Sequence, residues 1–388
     1  MVWLDAFMGV VFVTAVFGLL SPYLIYPLTV WPLARLYNRR HLIDDSTPSV
    51  TLVISAFNEA DVIEIKLKNA LALEYPREQL EIMVISDGSD DGTDEIVRRF
   101  SSSGVKLCRQ EPRKGKSSGL TKFVPEASGS LIVFSDANSM YDSLAIRKLV
   151  RHFADPHVGY AVGHQRFFDS DGNIVADSES VYWSYEVWLK EQESAVSSVV
   201  GGDGAIYAIR ASLFEALGEE DINDFLNPLQ IVARGYRGVF DREAFCHEHS
   251  ARSFAGEFRR KSRIVNRSLQ AIAKVPRVLD PRRTGWFAYQ LVFHKGLRWF
   301  MPYFLLLAMI ASLSLQIRGG GWIYSLTLVG IAGIGLLAAL YALPAARRFP
   351  LVYLAYFFVL GNCAALVGSL KLLFGRRIVM WTPERQSQ

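Results

Sequence analysis

Cysteine is scarce in this chain. Only Cys108, Cys246 and Cys363 occur among 388 residues, and no CxxC pair exists. That argues against a structural zinc site and a disulfide framework, and it fits a reducing compartment. A strong excess of one charge is missing too. Forty-two Lys and Arg stand against 38 Asp and Glu, so no nucleic-acid partner is expected. Internal repeats and low-complexity linkers are absent. The most informative lack is local: Ala6–Ala34, Met301–Ile317, Gly319–Ala346 and Phe349–Leu370 contain no charged residue. Runs of about 20 apolar residues match the hydrocarbon thickness of a bilayer. Met301–Ile317 reaches that length only with Trp299 and Phe300, or else lies partly in the interface.

The first run does not read as a signal peptide. It has Asp5 where a basic n-region belongs and is too long for an h-region. Arg35, Arg39 and Arg40 follow it. The positive-inside rule therefore puts the N-terminus outside and the following chain in the cytosol. Three C-terminal spans would leave Arg376 and Arg377 outside, whereas two would return the tail to the cytosol.

What the chain does have is a charged block, residues 46 to 296, long enough for a sizeable core. Ser49–Ala56, Glu81–Ser86, Val105–Arg109 and Ser130–Ser135 are apolar runs of strand length. Between them, Glu59–Leu73, Thr93–Phe100 and Lys116–Ala127 have helical spacing. This alternation predicts a mainly parallel α/β sheet with helices on both faces. Ligands of such sheets bind at the carboxyl ends of the strands. Polar clusters fall at three of those ends: Phe57-Asn58-Glu59, Asp87 through Thr93, and Asp136-Ala137-Asn138-Ser139. One such cluster is ordinarily a turn or a cap. Their recurrence along one sheet edge points to a nucleotide-type cleft.

Six stretches occur in a telling order: VISAFNEADVI, VISDGSDDGTDEIV, EPRKGKSSGL, FSDANSMYD, GGDGAIYAIR and INDFLNPLQIVARGYR. Together they resemble the membrane-bound family 2 glycosyltransferases, the group of cellulose, hyaluronan, chitin and poly-N-acetylglucosamine synthases. The resemblance spans Val50 to Ile264. It implies a Rossmann-like GT-A domain, in the cytosol and flanked by transmembrane helices, at a plasma membrane of bacterial inner-membrane type. The expected division is residues 1–45 for a membrane helix and linker, 46–255 for the GT-A domain, 256–296 for interfacial helices and 297–388 for further membrane helices. The implied reaction is inverting transfer from a nucleotide-sugar, with a UDP-sugar the first choice, to a growing glycan. Single addition to a polyprenyl-phosphate or glycolipid is the alternative. An inactive subunit of an export complex is a third reading, and the presence of Asp87, Asp136 and Asp224 speaks against it.

The resemblance also implies roles. Asp87 holds the base or ribose, with Ala56, Asn58 and Glu59 lining that pocket. Lys114 and Lys116 counter the diphosphate, although a solvated basic loop is the plain alternative. Asp136 and Asn138 occupy the family's DxD position and imply Mg²⁺ or Mn²⁺, a hard cation that takes oxygen ligands. Asn138 brings an amide oxygen where an acid is usual. Asp224 matches the catalytic base, with Asp221 its nearest competitor and a helix cap its plain reading. Gly202, Asp203 and Gly204 match the acceptor-side loop, where small residues admit a sugar. Trp183 and Trp188 are either sugar platforms or core. At the family's QxxRW position only Arg263 is kept, with Arg260 and Ile264 replacing Gln and Trp. Arg263 could reach the diphosphate. Arg259, Arg260 and Arg267 more simply read as an amphipathic helix on anionic lipid. With about four spans, short products are expected unless an accessory membrane subunit completes a channel.

Overall fold

The computed structural model describes residues 2–168, 178–249, 254–376 and 378. The chain opens with α1 (Val2–Leu20), a π-helical turn at Ser21–Ile25, and α2 (Tyr26–Tyr37). Pro22, Pro27 and Pro32 fall here, where lost backbone bonds favour such irregularity. The α/β part then runs β1 (Val50–Ala56), α3 (Ala60–Leu71), β2 (Leu80–Ser86), α4 (Thr93–Arg99), β3 (Val105–Arg109), α5 (Lys116–Phe123) and β4 (Leu131–Asp136). It continues through β5 (Met140–Tyr141), α6 (Ala145–Val150), β6 (Val158–Phe168), α7 (Ser178–Val196), β7 (Tyr207–Arg210), α8 (Asn223–Ala233) and β8 (Arg237–His249). The last part comprises α9 (Phe254–Lys274), α10 (Pro281–Thr284), α11 (Trp286–Gln290), a π-helical Leu291–Gly296, α12 (Leu297–Ile317), α13 (Trp322–Leu340) and α14 (Pro350–Leu373).

The eight strands form one sheet in the order β3-β2-β1-β4-β7-β6-β8-β5. The first four are mutually parallel, as the four apolar runs predict. The other half is mixed: β7 is antiparallel to both β4 and β6, β8 is parallel to β6, and β5 is antiparallel to β8. Both faces are covered. Leu52, Ile54, Val84 and Val133 pack on one side, Val53, Met83, Ile132 and Phe134 on the other. Register aligns the ends that matter. Ala56 pairs with Ser86, and Ser55 pairs with Asp136, so the loops after β1, β2 and β4 open together.

Among the described residues, four helical stretches have the length and composition to cross a membrane: Trp3–Tyr37, Trp286–Ile317, Trp322–Leu340 and Pro350–Leu373. Contacts give their directions. Asp5 pairs with Arg318 at 3.2 Å, and Phe12 packs on Tyr324, so these ends lie together, away from the sheet. Tyr341, beyond the end of α13, returns to Phe254 of α9. From there α14 follows α9 from end to end. Tyr353 and Tyr356 pack on Phe254, and Asn266 Nδ2 donates to Gly368 O at 3.0 Å and Arg376 O at 3.2 Å. α12 therefore runs away from the sheet domain and α13 returns to it, and α14 ends on the domain's side, taking Arg376 with it. Arg377 lies outside the described residues.

Candidate active site

Asp87 leaves the end of β2 and is almost wholly buried. Its carboxylate accepts from Gln110 Nε2 (2.5 Å), Lys114 N (3.0 Å) and Gly115 N (2.9 Å). Arg113 stands 3.5 Å from it and lies 3.5 Å over the Phe57 ring. The loop after β3 thus wraps this acid. Asn58 takes a left-handed conformation (φ 55°). Its Oδ1 accepts from Asp90 N at 3.0 Å, so the side chain joins two loops at the cleft rim. Ala56 is buried, and its carbonyl accepts from Asp87 N. Lys114 is exposed.

Asp136 is half-buried and Asn138 is exposed. Lys116 Nζ donates to Asp136 Oδ1 at 2.6 Å. Acid crowds this strand end. Burial, then Asp136, Asp91 and Glu248, push the Glu59 carboxyl up to about 7. Behind the loop, buried Ser139 donates to Glu248 Oε1 at 2.6 Å, and its carbonyl accepts from the fully buried Lys66. Asp136 and Asn138 offer the hard oxygens that Mg²⁺ or Mn²⁺ takes. Among the described residues no three His, Cys, Asp or Glu converge on one point. The pair therefore fits a cation that phosphate oxygens help to hold, and the excess of negative charge fits it as well.

Asp224 sits in the first turn of α8. The plain reading as a cap fails: the N-cap is Ile222, and no side chain closes that turn. Its Oδ1 is buried and, among the described residues, has no hydrogen-bond partner. Burial raises the carboxyl to about 6; Lys116 opposes the rise, and Asp203 and Asp136 add to it. Asp221, the competitor, is occupied. It accepts from Lys274 Nζ (2.6 Å) and Gly218 N (2.7 Å). Asn223 turns inward to Tyr207 Oη at 2.8 Å.

Gly202 and Gly204 bring backbone close to the acids. A Cβ at Gly204 would lie 3.0 Å from Asp224 Oδ2 and 3.6 Å from Asp136 Oδ2. Gly202 N donates to Asp224 O at 2.5 Å. Asp203 pairs with Lys190 at 3.5 Å. Arg263 is half-buried; burial first, then Arg267 and Arg260, lower it to about 10, while Asp224 and Asp136 favour its charge. Arg267 Nη1 donates to Asp221 O at 3.2 Å, and Arg260 donates through Nε and Nη2 to Glu257 at 2.8 and 2.9 Å. Arg267 thus turns toward the sheet domain, while Arg260 is held by an acid of its own helix. Trp188 stacks with Tyr185 against the cluster of Tyr26 and Val30, so it is core.

The sequence reading missed Gln110, Arg113, Lys66 and Glu248. Gln110 had a signal, since it directly follows β3 as the other polar clusters follow their strands. Lys66 and Glu248 had none: a helix lysine and a strand glutamate read as solvated.

A family model, Glycosyl transferase family 2, matches residues 51–218. A poly-beta-1,6-N-acetyl-D-glucosamine synthase of Staphylococcus aureus is 27% identical over 209 residues, 52% of this chain and 50% of that protein. The probable glycosyltransferase YdaM of Bacillus subtilis is 29% identical over 199 residues, 49% of this chain and 47% of its own. This chain thus matches about half the length of these curated relatives. A mannosyltransferase from Pyrobaculum calidifontis, solved with GDP-Man and Mn²⁺, superposes with a TM-score of 0.72 at 22% identity, covering 95% of this chain and 100% of that one. It shares the GT-A fold. Residues 51–218 are thus the part of this chain that is similar to glycosyl transferase family 2.

Proposed function

We propose that this chain is an inverting glycosyltransferase working at a membrane surface. It moves a sugar from a UDP-sugar or GDP-sugar to a growing glycan or a lipid-linked acceptor. The observation that carries the reading is Asp224, a carboxylate whose Oδ1 is buried without a hydrogen bond among the described residues, beside the opening at Gly204 and across from Asp136. In this reading Asp87 and its wrapping loop hold the nucleoside. Lys114, Lys116 and Arg263 counter the diphosphate. The acceptor hydroxyl rests against Gly202, Asp203 and Gly204. Its oxygen attacks the anomeric carbon while its proton passes to Asp224. The bond from that carbon to the diphosphate breaks, its electron pair leaves with the nucleotide, and configuration inverts. A divalent cation at Asp136 and Asn138 would offset charge on the departing diphosphate.

With α14 lying along α9, the candidate spans that extend away from the sheet domain among the described residues are α1 with α2, α12 and α13. So few spans would leave a polymer channel incomplete, which supports short products or single additions unless an accessory membrane subunit joins. The test is the purified protein with a panel of UDP- and GDP-sugars in Mg²⁺ or Mn²⁺, with products sized by gel filtration. The panel includes UDP-N-acetylglucosamine and GDP-mannose, since the relatives above name a poly-N-acetylglucosamine synthase and a GDP-Man complex. Transfer from at least one donor is expected. Turnover of none sinks the reading, and long polymer from the protein alone sinks its product-length part.

Gly204→Ala should lower kcat about tenfold or more while nucleotide affinity stays within about twofold. The added methyl presses on Asp224 Oδ2 at 3.0 Å, an overpacking that costs about 1–3 kcal/mol. Unchanged kcat in steady-state assays would place the acceptor elsewhere.

A further inference from the structure

A buried polar cluster outside the cleft lies where α7 meets the two π-helical turns. Glu193 of α7 is fully buried. Its Oε1 accepts from Tyr26 Oη at 2.6 Å and stands 2.5 Å from His294 Nδ1. Tyr26 follows the first π-helical turn, and His294 sits within the second. Such turns recur at functional positions. Gln290 Nε2 donates to Glu193 O at 3.0 Å. His294 Nε2 also reaches Glu186, which pairs with Arg298 and Lys295. Both membrane segments thus close on one carboxylate.

That carboxylate has a second side. Glu193 Oε2 accepts from Val200 N at 3.0 Å. Val200 begins the short stretch that runs into Gly202, Asp203 and Gly204. Two residues on, Gly202 N holds the backbone carbonyl of Asp224 at 2.5 Å. One continuous path therefore joins Tyr26 and His294, through Glu193 and Val200, to the acceptor loop and the base. The parts that hold a nucleotide in the reading above, Asp87 and the loop at Gln110–Lys116, hang on β2 and β3 and share none of it.

We infer that Glu193 is a positioning residue that transmits the packing of the membrane helices to the acceptor loop and Asp224, leaving the donor half of the cleft untouched. This rests on the proposed transferase reading for its kinetic arm alone. A carboxylate that ties three elements loses its hold on His294 when neutralised, and hydrogen bonds to charged groups are among the stronger ones.

The experiment compares Glu193→Gln, Tyr26→Phe and the double variant with the parent protein, all purified in the same lipid nanodiscs. Acceptor kcat/KM should fall about tenfold in Glu193→Gln and about threefold in Tyr26→Phe. Donor-nucleotide Kd by calorimetry should stay within about twofold. The double variant should be no worse than Glu193→Gln alone, because both changes cut one path. Hydrogen–deuterium exchange of the backbone at 198–204 should quicken in both single variants while that at 110–116 does not. The exchange arm needs no turnover, so it judges the inference even if no donor proves active. Should Glu193→Gln fail to fold, Tyr26→Phe decides alone. Unchanged exchange at 198–204, or donor affinity falling in step with kcat/KM, overturns the inference.

Discussion

Asp224→Asn is expected to abolish transfer while leaving nucleotide binding within about twofold. The amide keeps the shape but takes no proton, and loss of a general base typically costs about 10² to 10⁴ in rate. The parent enzyme should show the matching pH profile. With the carboxyl raised to about 6, kcat should climb about tenfold per pH unit below that value and flatten above it. The same shift has a stability consequence of known sign. A folded pKa of about 6 against an ordinary 3.8 means the native state binds this proton more tightly than the unfolded chain. Its contribution is fully present below about 4 and lost as pH rises through about 6. At pH 7.5 the ionised Asp224 therefore weakens the fold, by at most about 3 kcal/mol. Asp224→Asn should accordingly melt higher than the parent protein at pH 7.5, with the gap closing at pH 4. A dead variant that melts lower would point to lost packing and not to a missing base, and wild-type turnover would move the base elsewhere.

The half of the fold that was legible is the half built from local signals. β1 to β4 are continuous apolar runs, which parallel strands buried on both faces must be, and each ends in polar residues that have only the cleft to face. The other half is paired over long separations. β8 reads RGVFDREAFCHEH, too charged to declare itself a buried strand, and its burial comes from β6 nearly 80 residues earlier. The choice between Asp221 and Asp224 was open for the same reason. Lys274, which occupies Asp221, lies 53 residues further on. The Glu193–His294 contact spans 101 residues, and neither partner carries a local pattern that announces the other. Hydropathy correctly marked α14 as apolar but is blind to direction, and its contacts with Phe254 and Asn266 show it lying along α9.

Asp136→Ala should abolish metal-dependent nucleotide binding, and EDTA should stop the parent reaction. Asp136 brings the only charge at the DxD position, because Asn138 offers an amide oxygen alone. A hard cation shared with phosphate draws much of its hold from that carboxylate. The substitution also frees Lys116, whose ammonium is 2.6 Å from Asp136 Oδ1. A freed ammonium can still meet the diphosphate as a point charge. The two effects pull apart in a titration. Nucleoside diphosphate binding measured without metal should be unchanged or slightly tighter in Asp136→Ala, while the gain that Mn²⁺ brings to the parent protein should vanish. Asn138→Asp provides the opposite case: a second carboxylate should tighten the Mn²⁺-dependent step and add to the acid crowding that already raises Glu59. Mn²⁺ binding followed by electron paramagnetic resonance, in the presence of the nucleotide, reads both variants without relying on turnover. An undiminished Mn²⁺ response in Asp136→Ala, or full activity in EDTA, removes the cation from this site and leaves Lys114, Lys116 and Arg263 to neutralise the leaving group by themselves.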